Sequence, residues 1–93
     1  MAPSPQPNDD ERLLRELAQL LTSALGLSAN PVQITPDETL FGGRLGLDSV
    51  DALQWLCALE RERGIILTES ELAQGALDSL SAVAQVIRAR QGT

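Results

Sequence analysis

Gly46-Leu47-Asp48-Ser49-Val50-Asp51-Ala52-Leu53 is the point at which a long irregular segment gives way to a helix. Asp48 and Ser49 are both residue types whose side chains accept a hydrogen bond from the free N–H groups of a helix start. From there Val50, Leu53, Trp55, Leu56 and Leu59 supply apolar positions to about Arg63, and Gly64 stands where a helix ends. On these eight residues alone, a plain capping role for Asp48 or Ser49 is the simplest reading. The paired carboxylates Asp48 and Asp51 likewise suit a first helical turn better than acid–base chemistry.

Upstream, Leu27 to Leu47 is broken by Pro31, Pro36, Gly42, Gly43 and Gly46, too often for a helix. Val32, Ile34, Leu40, Phe41, Leu45 and Leu47 are nevertheless spaced along it, and all six are expected to be pinned to a core. Loops this long in compact domains are functional or disordered, and the anchors favour an ordered, functional one. Before it, Leu13, Leu14, Leu17, Leu20, Leu21, Ala24 and Leu25 recur at helical spacing, which predicts a helix over 9–25 with acidic residues at its start and Gly26 at its end. Residues 1–8, with three prolines and almost nothing to bury, read as a disordered tail.

Downstream, Thr68 and Glu71 have the spacing of a capping box, predicting a short helix from Thr68 to Gln74. Asp78 or Ser79 caps a last helix whose buried stripe is Leu80, Val83, Ala84 and Ile87, up to about Arg90. Only Ile65-Ile66-Leu67 hints at a strand. The expected architecture is all-α: a four-helix bundle of three main helices and one short helix, with a long loop between helices one and two.

Composition narrows the chemistry. A chain of 93 residues builds one domain with a modest core and little wall for a deep catalytic cleft. Thirteen acidic residues against seven basic ones, all arginine, give a net charge of −6, which repels nucleic acid and anionic lipid and attracts basic partner surfaces. The same charge would also simply keep a small monomer soluble. Histidine and lysine are absent and Cys57 is the single cysteine, so an internal disulfide, structural zinc and a Ser-His-Asp triad have no residues to build them. Asp at position 51 rules out a Gly-x-Ser-x-Gly elbow. Ser49 has no base to activate it, and Cys57, mid-helix with no basic neighbour, reads as an inert thiol. The start of the chain lacks the basic and apolar regions of a secretory signal, and no apolar run approaches the roughly 20 residues of a membrane span. These features predict a cytoplasmic protein with no membrane, nucleic-acid or metal ligand.

Gly46 to Leu53 resembles the Asp-Ser-Leu attachment signature of the acyl carrier protein family, with Val50 in place of the usual leucine. The resemblance runs over about residues 9–90: Pro36-Asp37-Glu38-Thr39-Leu40-Phe41 is similar to the family's loop before the serine, and Ala58-Leu59-Glu60 to its second helix. It implies an acyl-carrier-like domain over 9–93 that catalyses nothing itself. On Ser49 it would carry 4′-phosphopantetheine, placed there from coenzyme A by a phosphopantetheinyl transferase. Leu47, Asp48, Val50, Asp51, Leu53, Glu60 and Glu62 would meet partners of the acyl or aminoacyl ligase, ketosynthase or acyltransferase type. Acyl intermediates of a fatty-acid, polyketide or related secondary-metabolite pathway would travel as thioesters. Ser79, in Ala76-Leu77-Asp78-Ser79-Leu80, carries the same letters without the Gly-rich loop and is expected to be a helix cap. Gln54, Arg61 and Arg63 depart from the acidic and aromatic residues usual in fatty-acid carriers and weaken the case for housekeeping fatty-acid partners. Trp55, on the inward face, is either ordinary core or the filling of space that long acyl chains would need, which would favour short or polar cargo. An aminoacyl or peptidyl carrier loaded by an adenylating ligase, and an unmodified helical adaptor, are the competing readings.

Overall fold

The structure, a computed structural model, describes residues 7–91. Four α-helices follow one another: α1 Pro7–Leu25, α2 Ser49–Arg63, α3 Glu69–Ala73 and α4 Leu80–Gln91, with a short 3-10 turn at Pro31–Gln33 between α1 and α2. The all-α expectation holds, and the described residues contain no strand; Ile65 to Leu67 runs as a plain connection. Helix α1 starts two residues earlier than its apolar spacing predicts. Pro7 and Asn8 therefore belong to the helix rather than to a tail, because proline is well suited to a first turn, where its missing N–H has no intrahelical partner anyway. Residues 1–6 of the expected tail lie outside the described residues.

The helix stops fall where the glycines predict. Leu27 N–H reaches back to the Thr22 carbonyl at 2.9 Å past Gly26, and Gly64 N–H donates to the Glu60 carbonyl at 3.0 Å. Thr68 and Glu71 form the reciprocal capping box: Glu71 N–H donates to Thr68 Oγ1 at 3.1 Å and Thr68 N–H to Glu71 Oε1 at 2.9 Å. In α4 it is Ser79 that caps, its Oγ accepting Ala82 N–H at 3.1 Å.

The core is a single cluster. Leu17 and Leu21 of α1 meet Trp55, Ala58 and Leu59 of α2 and Leu80, Val83, Ala84 and Ile87 of α4, joined by Ile34, Leu40 and Leu47 from the long loop. Helix α1 packs against both α2 and α4, whereas α3 makes no close backbone approach to another helix and is joined to the core through half-buried Leu72. Phe41 and Leu45 are half-buried against the cluster as expected. Val32 is not: it is exposed. It sits in the 3-10 turn, whose start is fixed by Val32 N–H donating to Asn30 Oδ1 at 3.0 Å, and Ile34 takes the inward position two residues on.

Exposed ion pairs decorate this core. Arg63 of α2 meets Glu16 of α1 at 2.8 Å, Arg88 pairs with Asp10, and Arg90 Nη2 donates to Glu71 Oε1 at 2.6 Å, tying α4 to α3. Such pairs are screened by water and salt and contribute little beside apolar burial. Leu59, fully buried at the centre, is the sharper test. Leu59→Ala is expected to lower unfolding stability by about 2–5 kcal/mol, read as a shift of the urea midpoint at unchanged slope.

Candidate functional site

The site is assembled by closing the long loop on itself. Gly46 N–H donates to the Gly43 carbonyl at 3.0 Å and Gly42 N–H to the Leu47 carbonyl at 3.2 Å, producing an isolated parallel bridge between Phe41 and Leu47. Gly46 has φ +66, the left-handed region that glycine enters without steric cost. At Gly43 a Cβ would lie 2.5 Å from the Thr39 carbonyl oxygen, so the turn closes only without a side chain there.

Two backbone hydrogen bonds fasten the loop to the bundle: Leu40 N–H to the Asp78 carbonyl and Ser81 N–H to the Pro36 carbonyl, both 2.9 Å. A brace within the loop itself had no signal in any linear motif. Glu38 Oε2 accepts Thr35 N–H at 2.7 Å and Arg44 Nη2 at 2.9 Å, and Arg44 also donates to the Gln33 carbonyl at 3.1 Å. The Arg44 guanidinium, followed by the Thr35 N–H, holds the Glu38 carboxyl below its ordinary value.

Asp48 is the cap of α2. Asp51 N–H donates to Asp48 Oδ1 at 3.0 Å and Asp48 N–H donates to Asp51 Oδ2 at 2.9 Å, a capping box built from two aspartates. This occupies both carboxylates with the backbone and leaves Ser49 as the first residue of α2, exposed, with its hydroxyl in no hydrogen bond to another described residue. Beside it opens a groove of about 420 Å³, walled by Phe41, Leu47, Ala52, Leu72 and Leu77.

Of the other residues expected at a partner surface, the structure gathers some and separates others. Val50 and Leu53 are 61% and 62% exposed. With exposed Cys57 and Glu60 they follow the i, i+3, i+7, i+10 spacing of one helical stripe that begins beside Ser49. Glu62, also exposed, is two residues beyond Glu60 and hence about 200° further round the helix, off that stripe. Leu47, 5% exposed, turns into the core under the loop and reaches the surface only as part of the groove wall beside Ser49. Asp51 is half-buried by its capping bonds. No group of three or more His, Cys, Asp or Glu residues among the described ones could hold a metal ion, and no described helix is long and apolar enough to cross a membrane.

Ser49 is thus an exposed serine with an unengaged hydroxyl, at the head of a helix and at the end of an ordered glycine-rich loop. The family model for the phosphopantetheine attachment site matches residues 15–87. The chain belongs to this family of phosphopantetheine-binding carrier proteins, and its prosthetic group is covalently bound 4′-phosphopantetheine. Compared with curated proteins and with solved structures, the chain finds no match.

The Asp48 cap has a pH signature. Its carboxyl is held below the usual value first by the Asp51 N–H it accepts, against some desolvation. A carboxyl whose folded value is depressed stabilises the fold above the unfolded value, about 3.9 for aspartate, and loses that contribution as pH falls through the lower folded value. Asp48→Ala is expected to speed amide exchange at Asp51 at neutral pH. Asp48→Asn, a neutral residue that still caps, should preserve the first turn and remove the acid sensitivity at this cap.

Proposed function

We propose that Ser49 bears the 4′-phosphopantetheine and that the protein shuttles thioester-bound acyl intermediates between enzymes of a fatty-acid, polyketide or related secondary-metabolite pathway in the cytoplasm. The observation that carries the assignment is the contrast between two serines in the same Asp-Ser setting. Ser49 is exposed with an unengaged hydroxyl, whereas Ser79 is half-buried and spends its hydroxyl capping α4.

Ser49 Oγ would form the phosphodiester, displacing the adenosine bisphosphate portion of coenzyme A. With no histidine or lysine in the chain, the base and the metal for that step belong to the transferase. When bound, the prosthetic group supplies a terminal thiol that holds acyl groups as thioesters. Asp48 already uses the donors at the head of α2 and adds negative charge beside the phosphate, so the helix start offers little hold on the anion. The arm is left free to swing. Val50 and Leu53 would give passing enzymes an apolar footing, and Glu60 with Asp48 a charge for basic rims, which raises association rate more than affinity. Arg61 is exposed next to Glu60 and dilutes that acidic face, in keeping with partners other than housekeeping fatty-acid enzymes.

Incubation with coenzyme A, magnesium and a broad-specificity phosphopantetheinyl transferase, followed by intact-mass measurement, is expected to add one arm to the wild type and to Ser79→Ala, and none to Ser49→Ala. No addition to any form would leave Ser49 a helix residue and the protein an adaptor. Val50→Asp and Leu53→Asp should slow this loading severalfold at unchanged thermal midpoint, because neither side chain is buried. Leu47→Asp should instead unfold the loop, separating a surface role from a core one by circular dichroism.

A further inference from the structure

Trp55 is 0% exposed, yet its indole Nε1–H has no hydrogen-bond acceptor; among the described residues it is the one buried side-chain polar atom so left. Interiors rarely tolerate such a donor, which is ordinarily met by protein, ordered water or a ligand. A position needing only bulk would be served by phenylalanine without that penalty.

The donor's place in the fold suggests what meets it. Ala52 lines the groove beside Ser49 and precedes Trp55 by three residues, so the two share a face of α2. Long side chains on a helix lean back toward its N-terminus, which carries the indole toward Ala52 and the groove. On the intervening turn of that face α2 presents the methyl of Ala52 and half-buried Asp51, whose carboxylate accepts the Asp48 N–H and leaves the indole donor unmet. The facing wall includes Leu72 of α3, the helix that makes no close backbone approach to its neighbours. That wall is held to a neighbouring helix by the exposed Arg90–Glu71 ion pair and not by close backbone packing. Behind the indole, Leu17, Leu21 and Leu59 are fully buried and fill the interior.

We propose that Trp55 Nε1–H is a hydrogen-bond donor to the cargo, selecting short acyl chains that carry an oxygen of their own, a hydroxyl or keto group beyond the thioester carbonyl. This rests on the reading of Ser49 as the attachment point. A saturated chain pushed past Ala52 would leave the donor unpaired in an apolar setting. A chain with its own oxygen would satisfy it, and the filled interior, with Leu17, Leu21 and Leu59 fully buried, suits short cargo.

Trp55 is the single tryptophan, so a ¹⁵N-labelled sample gives one indole resonance. The protein is loaded from the corresponding coenzyme A thioesters as pantetheinyl, butyryl and 3-hydroxybutyryl forms, and intact mass on wild type and Ser49→Ala first establishes where the load sits. Failure at that step overturns the attachment reading and is distinguishable from failure of this one. The expected result is a downfield indole proton and solvent exchange slowed about fivefold, the size of one net hydrogen bond, in the 3-hydroxybutyryl form relative to the butyryl form. Trp55→Phe should abolish the difference in thioester hydrolysis rate between the two cargoes. Identical indole signals for both cargoes would overturn the proposal. So would an indole already protected in the pantetheinyl form, which would assign the donor to a resident water or to the arm's own amides.

Discussion

The attachment of the long loop to the rest of the bundle is the constraint on which everything else depends. The chain between α1 and α2 has no regular ladder to satisfy its backbone, so its order rests on a few fixed points: buried Ile34, Leu40 and Leu47, the Leu40–Asp78 and Ser81–Pro36 hydrogen bonds, and the Glu38–Arg44 brace. Each is weak alone. Together they fix where α2 begins, and the first residue of α2 is Ser49, the proposed attachment point. A loop that sets the position of a functional atom must be held at its far end as well as near it, and here the far end is held by α4.

Much of this was legible in the sequence because helices announce themselves through spacing and punctuation. The apolar stripes of α1 and α4, the Thr68–Glu71 capping box and the stops at Gly26 and Gly64 are local signals, and local physics produces the structure they predict. The loop anchors were legible only in part. Hydrophobicity marks a residue as buriable without saying which way a nonrepeating backbone will turn it, so Val32 and Ile34 looked alike and only Ile34 is buried. Leu47 read both as a core anchor and as a partner contact, and the bridge to Phe41 turns it inward. The Glu38–Arg44 brace spans six residues of irregular chain, and the groove walls Leu72 and Leu77 lie far from Ser49 in sequence, so no spacing rule marks either.

Helix α2 has two faces with opposite requirements. One buries Trp55, Ala58 and Leu59 and ties the helix to α1; the other exposes Val50 and Leu53 to water at a modest cost in apolar hydration. That mixture blurs its amphipathic pattern, and the blurring is itself informative: a helix serving stability alone would place its apolar residues on one side. The exposed pair begins beside Ser49, so the proposed contact surface and the proposed attachment atom are set by the same cap.

The basic residues have a chemical consequence apart from charge. All seven are arginines, and Arg44, Arg63, Arg88 and Arg90 each pair with a carboxylate. A guanidinium stays protonated throughout the physiological range, whereas a lysine amine gives up its proton readily enough in an apolar setting to attack carbonyl carbon. A thioester borne on the proposed arm would therefore meet no lysine amine of this sequence. Arginine in place of lysine throughout would thus lengthen the chemical lifetime of a carried thioester.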